Sequence, residues 1–294
     1  MIPERINQYR IISQIGEGGM GVVYCAEDEQ LDRLVAIKLI SANYVHDPMA
    51  RQRFAREVQI ASDLHHPNIC TVFEHGAING SPYMVMELLE GQTLRDRLSG
   101  RPLPLHLITA IGMDIAAALH TAHDHGVVHR DINASNIFVM RSGITKVLDF
   151  GLAKLCHAPS MDQAVPPRAA SAVSAPGRML GTTSNMSPEQ VTGQDVDRRS
   201  DIFSFGVVLY QMATGILPFL GASPPQVMRA ILYMHHTTAS AVNPRIPIEL
   251  DRIIQRAIEK DRTLRYSTAS EVRTDLAKLH SREQSASFIS PMCL

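Results

Sequence analysis

Neither sign of charge is in excess along this chain: 28 Lys and Arg stand against 29 Asp and Glu, a net charge of −1. A protein that grips a polyanion needs a basic surplus, so no nucleic-acid partner is expected. Cysteine is scarce and scattered, as Cys25, Cys70, Cys156 and Cys293, with no Cys-x-x-Cys pair. That argues against zinc or a disulfide framework and for free thiols in a reducing compartment. Met1-Ile-Pro-Glu-Arg is followed by polar residues, so no secretory leader is expected. No uninterrupted run of about 18 apolar residues is present to span a membrane. The expectation is a cytoplasmic protein without a span in these residues; a longer parent chain with a later anchor stays open.

What is present is an ordinary globular balance, 45% apolar and 19% charged over 294 residues, room for one large domain or two modest lobes. Residues 9–16, 22–28 and 33–40 are rich in Val, Ile and Tyr and predict three strands. Phe54, Val58, Ala61 and His65 fall at helical spacing, and strands are expected near 69–77 and 82–88. Beyond Glu90-Gly91 the period changes to three and four, through Ile108, Ile111, Ile115, Leu119 and Ala122. Further helices are expected near 200–214, 223–233, 247–258 and 268–281. The reading is an α+β fold of two lobes with a natural cleft between them. A small β-rich N-lobe with one main helix spans 1–86, a hinge 87–91, and a larger, mostly helical C-lobe 92–281, with 282–294 a frayed polar tail. Residues 156–180, rich in Ala, Pro and Ser and without period, read as a functional or disordered loop.

Three patterns carry chemistry. Gly16-Glu17-Gly18-Gly19-Met20-Gly21 is a glycine-rich turn between two strands rather than at a helix start, which disfavours a dinucleotide fold. Such a hairpin can lay backbone N–H groups over phosphates, though glycine turns alone are weak evidence. On the third strand, alternation sets Ala36 and Lys38 on one face, suiting a flat base beside a polyphosphate; a surface lysine on an edge strand is the plain alternative. Glu57 offers that lysine a carboxylate partner. Third, 137–140 and 144–148 are strand-like around Arg141-Ser142-Gly143. A two-residue turn at Ser142-Gly143 would set Asn136 opposite Asp149, about 5–6 Å apart and within reach of Mg²⁺. The alternative is that both cap strand ends. Asp131 arrives at the same end, placed to orient a hydroxyl and take its proton. His129, beside Val127 and Val128, reads as a packed, hydrogen-bonded histidine.

Together these residues resemble the protein kinase superfamily, and most closely the bacterial eukaryotic-like (Hanks-type) Ser/Thr protein kinases. The glycine loop, Val35-Ala36-Ile37-Lys38, Glu57, His129-Arg130-Asp131 with Asn136, Asp149-Phe150-Gly151 and Ser187-Pro188-Glu189 occur in family order across about residues 9–280. The resemblance implies ATP and Mg²⁺ (or Mn²⁺) as cofactors. It puts Ile15, Gly16, Gly18, Gly21 and Val23 over the nucleotide, Ala36 and Phe138 against the base, and Lys38 on the phosphates with Glu57 as its partner. Met86 becomes the gatekeeper before a hinge of Glu87, Leu88 and Leu89; Asp131 becomes the catalytic base; Asn136 and Asp149 become the metal ligands. His129 and Phe150 are expected to pack as a spine supported by Asp201, and Glu189 to pair with Arg265. Residues 149–189 become an activation segment, and Arg130 with Lys154 a pair of cations for a phosphate on it. The implied partners are proteins with Ser/Thr acceptors. They include a second copy of this chain, phosphorylated in trans at Ser171, Ser174, Thr182 or Thr183.

Two departures bear on activity. Asn133 stands two residues after Asp131, where this family commonly has a lysine that touches the transferring phosphate. Losing one preorganised donor typically costs about 10²–10³ in rate, and a hydrogen bond from Asn133 to the phosphate is expected to recover part of that. Asn185 replaces a usual aromatic and weakens the shelf before Ser187. The first reading is an active Ser/Thr kinase with reduced turnover. The alternatives are a nucleotide-binding pseudokinase acting as scaffold or allosteric partner, and a small-molecule phosphotransferase.

Overall fold

A computed structural model describes residues 4–18, 21–41, 52, 58–59, 61–78, 80–150 and 183–289. The chain divides into two compact units. The first runs to Glu90 and takes in Asp149 and Phe150; the second holds Gly91–Leu148 and the described residues from Thr183 onward.

Six antiparallel strands build the first unit: β1 (Arg5–Ile6), β2 (Tyr9–Gly18), β3 (Gly21–Asp28), β4 (Arg33–Ile40), β5 (Val72–Ile78) and β6 (Ser81–Glu87), ordered β1-β2-β3-β4-β6-β5. Directly opposed residues share a face of a sheet, so the register sorts its side chains into two sets. One set, Ile6, Tyr9, Ala26, Val35, Ile37, Tyr83 and Val85, forms a buried cluster. The other contains the rows Val23–Lys38–Met84 and Cys25–Ala36–Met86. Residues 52, 58–59 and 61–62 are helical, with Val58 and Ala61 buried. The β2–β3 hairpin closes with Gly18 opposite Gly21. Only glycine fits at Gly21, where φ is +151° and a Cβ would lie 1.9 Å from the Leu39 carbonyl oxygen.

The second unit is mostly helical: α1 (Leu94–Leu98), α2 (Leu105–Asp124), α3 (Pro188–Val191), α4 (Arg198–Thr214), α5 (Pro224–Tyr233), α6 (Ala239–Val242), α7 (Ile248–Ala257) and α8 (Ala269–Ile289). It also carries a sheet ordered β7-β8-β9, from Gly91–Thr93, Ile137–Met140 and Thr145–Val147. In α4 every residue from Ser200 to Thr214 except Gln211 is buried, so this helix lies at the core of the unit, with α2, α6 and α7 packed on it. A Cβ at Gly206 would fall 2.6 Å from Ile258 Cγ2 and 2.7 Å from Ala257 Cβ, so the missing side chain is what lets the α7 end close on α4. By average hydropathy, 1.3 over 18 residues, α2 is long and apolar enough to cross a membrane. Its apolar face is instead taken up by protein: Ile108, Ile111, Ile115 and Leu119 are buried, and Thr109 Oγ1 lies 2.7 Å from His280 Nδ1 on α8.

Two expectations need correction. The β8–β9 hairpin does not turn on two residues. Met140 N–H bonds the Ile144 carbonyl at 2.9 Å and Gly143 N–H bonds the Met140 carbonyl at 3.0 Å, which makes Arg141-Ser142-Gly143 a three-residue loop. Gly143, at φ +90°, takes the left-handed position this loop needs. The pairing runs Phe138↔Lys146 and Ile137↔Val147, and Leu148 N–H reaches the Asn136 carbonyl at 2.8 Å. Leu148, not Asp149, is therefore opposite Asn136. The tail is also shorter than expected, because α8 continues to Ile289. The Ser281 and Ser285 hydroxyls satisfy themselves on the carbonyls four residues back, at 3.0 and 2.9 Å, so polar composition did not end the helix.

Candidate active site

In the first unit, Val23, Ala36, Lys38 and Met86 share one sheet face, as alternation required of Ala36 and Lys38. Lys38 is 8% exposed, and its Nζ meets Asp149 Oδ2 at 2.6 Å across 111 residues of sequence. Burying an ammonium is costly without a counter-charge, and Asp149 supplies one. Glu57, the partner expected for Lys38, lies outside the described residues, as do Ser171, Ser174, Thr182 and Lys154. Asp149 itself sits at φ +58°, a left-handed conformation that is strained for a residue other than glycine. A small apolar cavity lined by Val58, Ala61, Ile69, Met84, Met86, Asp149 and Phe150 lies beside the pair. Glu87 uses its own N–H on the Thr71 carbonyl at 3.0 Å and accepts the Thr71 N–H on its carboxylate at 2.7 Å. Leu89 is half-buried and Ile15 exposed. A Cβ at Gly16 would make only ordinary contact with Val23, and one at Gly18 would meet nothing within 4 Å. Packing among the described residues therefore does not explain either glycine.

In the second unit, the loop after α2 is anchored on buried Asp201. Its carboxylate accepts the His129 N–H at 2.8 Å and the Arg130 N–H at 2.7 Å, and pairs with His123 Nε2 at 2.8 Å. His129 is fully buried with Nε2 2.7 Å from the Leu148 carbonyl, the packed role expected of it. Arg130 is held at φ +69°. The half-buried Asp131 carboxylate is gripped on both oxygens. Asn136 Nδ2 donates to Oδ2 at 3.0 Å and to the Asp131 carbonyl at 2.9 Å, while Asn133 Nδ2 donates to Oδ1 at 2.9 Å and to the same carbonyl at 3.1 Å. Both of these nitrogen contacts of Asn133 are thus made within the loop. Asn136 turns its nitrogen to Asp131, which leaves its oxygen as the end suited to a hard cation. Phe138 is half-buried in β8.

The Glu189–Arg265 pair forms as expected. The guanidinium donates to both carboxylate oxygens at 2.7 and 2.9 Å and to the carbonyls of Glu259, Arg199 and Lys260, and the Ser200 hydroxyl also reaches Glu189. Burial works against the Glu189 charge, but the hydrogen bonds from Arg265 and Ser200 and the charge of Arg265 outweigh it and hold the carboxyl below its ordinary value. Asn185 is 5% exposed; its carbonyl accepts the Ser204 hydroxyl at 2.6 Å, but its Nδ2 is buried without a hydrogen-bond partner among the described residues. Thr183 is buried at 6% exposure, which corrects its expected role as an acceptor, since a hydroxyl in that position is not presented to another molecule. Sequence reasoning missed the direction of Asn133 and the left-handed Arg130 and Asp149. The only signal for Asn133 was its standing where a lysine is usual.

The model of the protein kinase domain family matches residues 9–276. The chain belongs to that family. A probable serine/threonine-protein kinase of Clostridium perfringens is 36% identical, over 93% of this chain and 38% of its own length. Serine/threonine-protein kinase PknB of Mycobacterium leprae is also 36% identical, over 95% of this chain and 44% of its own. The chain thus spans about two fifths of the length of these curated relatives. The crystal structure of a cysteine-to-alanine mutant of the Mycobacterium tuberculosis PknI kinase domain superposes with a TM-score of 0.71 at 24% identity, covering 92% of this chain and 95% of that one, a likeness of fold. With the first unit's sheet and the second unit's helices, this kinase domain has the expected α+β architecture of a β-rich N-lobe and a helical C-lobe.

Proposed function

We propose that this kinase domain is an ATP-dependent Ser/Thr protein kinase, with Asp131 as its base and a turnover lowered by Asn133. The observation that carries the reading is the buried Lys38–Asp149 pair. It joins the strand lysine to the aspartate of Asp149-Phe150, two groups for which local packing gives no reason to meet. Lys38 is assigned to the α- and β-phosphates, with Glu57 as its further partner. Gly16 and Gly18, which no neighbour among the described residues requires to be glycine, suit close backbone approach to phosphate together with Gly21. Ile15, Val23, Ala36, Met86 and Phe138 are assigned to the base, and the Glu87 and Leu89 backbone to its edge.

The residues present fit a magnesium ion: one carboxylate, Asp149, and one amide oxygen, Asn136, are the hard ligands such an ion takes beside phosphate and water. When bound, it supplies positive charge that draws the phosphate oxygens together and offsets their charge. Asp131, held on both oxygens, accepts the proton of the attacking seryl or threonyl hydroxyl. The proposed substrates are proteins, including a second copy of this chain through Ser171, Ser174 or Thr182. Dependence on ATP favours a cytoplasmic location.

The test is a phosphosite map of the purified chain after incubation with Mg²⁺ and ATP. Phosphorylation of wild type and its loss in Lys38→Met is the expected result. A second reading, a nucleotide-binding pseudokinase, is favoured by Asn133, which stands where a lysine is usual and whose nitrogen faces Asp131. It prevails if neither protein becomes phosphorylated while ATP still raises the melting temperature of wild type.

A further inference from the structure

We propose that Asn133 is a positioning residue for Asp131, a neutral amide that aims the base rather than a contact for the phosphate. The inference rests on the reading of Asp131 as the catalytic base. Both ends of its amide are bonded within the loop. Nδ2 of Asn133 lies 2.9 Å from Asp131 Oδ1 and 3.1 Å from the Asp131 carbonyl, and Oδ1 of Asn133 accepts the Ser135 N–H at 2.9 Å. The last bond decides which end of the amide faces Asp131. A flipped amide would set oxygen against two acceptor oxygens and leave the Ser135 N–H facing an NH₂ group. The backbone beneath is fixed as well. Asn136 N–H bonds the Asn133 carbonyl at 3.0 Å, and the Ala134 carbonyl accepts Arg95 N–H at 2.9 Å. Ile132 and Ala134 are buried on either side of Asn133.

Asn136 holds the other carboxylate oxygen at 3.0 Å, so Asp131 is restrained in rotation by two amides from two directions. A lysine at this position would bring a charge on a flexible stem that can reach a phosphate. An asparagine has a short stem, no charge, and here both nitrogen contacts are made within the loop. The substitution thus exchanges electrostatic stabilisation of the transferring group for orientation of the base. A carboxylate held at a near-attack angle gains rate by positioning alone.

The test is steady-state kinetics with Mg²⁺-ATP and a protein substrate for four proteins: wild type, Asn133→Ala, Asn133→Asp and Asp131→Asn. Asn133→Asp keeps the size and the acceptor for Ser135 N–H but replaces the donor with a like charge beside Asp131, so it turns the bond into a repulsion and gives a second reading should Asn133→Ala fold poorly. Loss of a hydrogen bond to a charged group corresponds to about 10- to 100-fold, so kcat is expected to fall by that factor in both Asn133 variants. KM for ATP and the melting temperature stay at their wild-type values, a split that a general loosening of the loop would not give. If wild type is no faster than Asp131→Asn, the reading of Asp131 fails and this inference with it. If wild type is faster, but the Asn133 variants keep their kcat or raise KM for ATP, the inference alone is overturned and Asn133 acts on the nucleotide.

Discussion

Asp131 and Glu189 are both carboxylates of the second unit, and both are gripped on two oxygens, yet by opposite means. Asp131 is half-buried and held by the neutral amides of Asn133 and Asn136. Glu189 is 4% exposed and held by a guanidinium at 2.7 and 2.9 Å with a serine hydroxyl beside it. Neutral donors orient a charge without bringing a counter-charge of their own. A cationic donor cancels the charge and turns it into structure. The same residue class therefore serves reaction in one place and architecture in the other, and substitutions should separate the two.

The sharpest way to break the comparison is to remove the charge at Glu189. Glu189→Gln leaves the Arg265 guanidinium, wholly buried, with half its partner gone. A loss of about 3–5 kcal/mol in unfolding free energy is expected by denaturant titration. A loss below about 1 kcal/mol would place Glu189 with the replaceable polar groups. Acid gives the same information without mutation. The Glu189 carboxyl is held below its ordinary value of 4.5, so its contribution is complete above that pH and is lost as pH falls through the lower, folded-state value. Melting temperature should therefore drop on acidification below about pH 4.5 in wild type and less steeply in Glu189→Gln. Parallel curves would contradict the assignment.

Much of the fold was legible because its periods are clean. Strands β2 to β6 alternate or run apolar, and α2 steps by three and four. What escaped is short or buried all round: β1 and β7 have two and three residues, α3 and α6 four each, too few for any period to register. The β8–β9 register was missed by one residue because Ser142-Gly143 can close either a two-residue turn or, with Arg141, a three-residue loop. The choice depends on Gly143 taking φ +90°, which the letters do not state. Lys38, Asp131, Asn136 and Asp149 were each singled out from spacing, but their partners were not. The sequence offered Glu57 for Lys38, and only the folded chain brings Asp149 to it. Likewise Asn133 stood out as a departure, while the direction of its amide depends on the Ser135 N–H.

Asn185 sharpens the comparison on a smaller scale. It is a polar side chain with a buried nitrogen left over, in contrast to the closed bonding of Asn133. Asn185→Leu, nearly equal in size, is expected to raise stability by about 1 kcal/mol, read as a higher denaturation midpoint. A destabilised variant would mean that the amide is held by something that leucine cannot replace.

The smallest effect is expected at Lys260. Burial, with Arg265 nearby, pushes its ammonium down to about 8, and Nζ lies 3.6 Å from the Phe219 ring centroid without a hydrogen bond among the described residues. Protonation opposes folding there, so wild-type stability should rise as pH climbs from about 8 towards the ordinary 10.5. Lys260→Met should lose that slope while changing stability at neutral pH by less than ~1 kcal/mol. A large destabilisation would assign the lysine to the group of architectural charges that includes Arg265.

The central claim is tested most directly by single-turnover transfer of labelled γ-phosphate from ATP to a protein substrate, wild type beside Asp131→Asn, with melting temperatures measured on the same samples. A general base contributes about 10²–10⁴ in rate, so transfer should fall by that factor in Asp131→Asn while the melting temperature stays within a degree or so. Equal transfer by the two proteins would contradict the account.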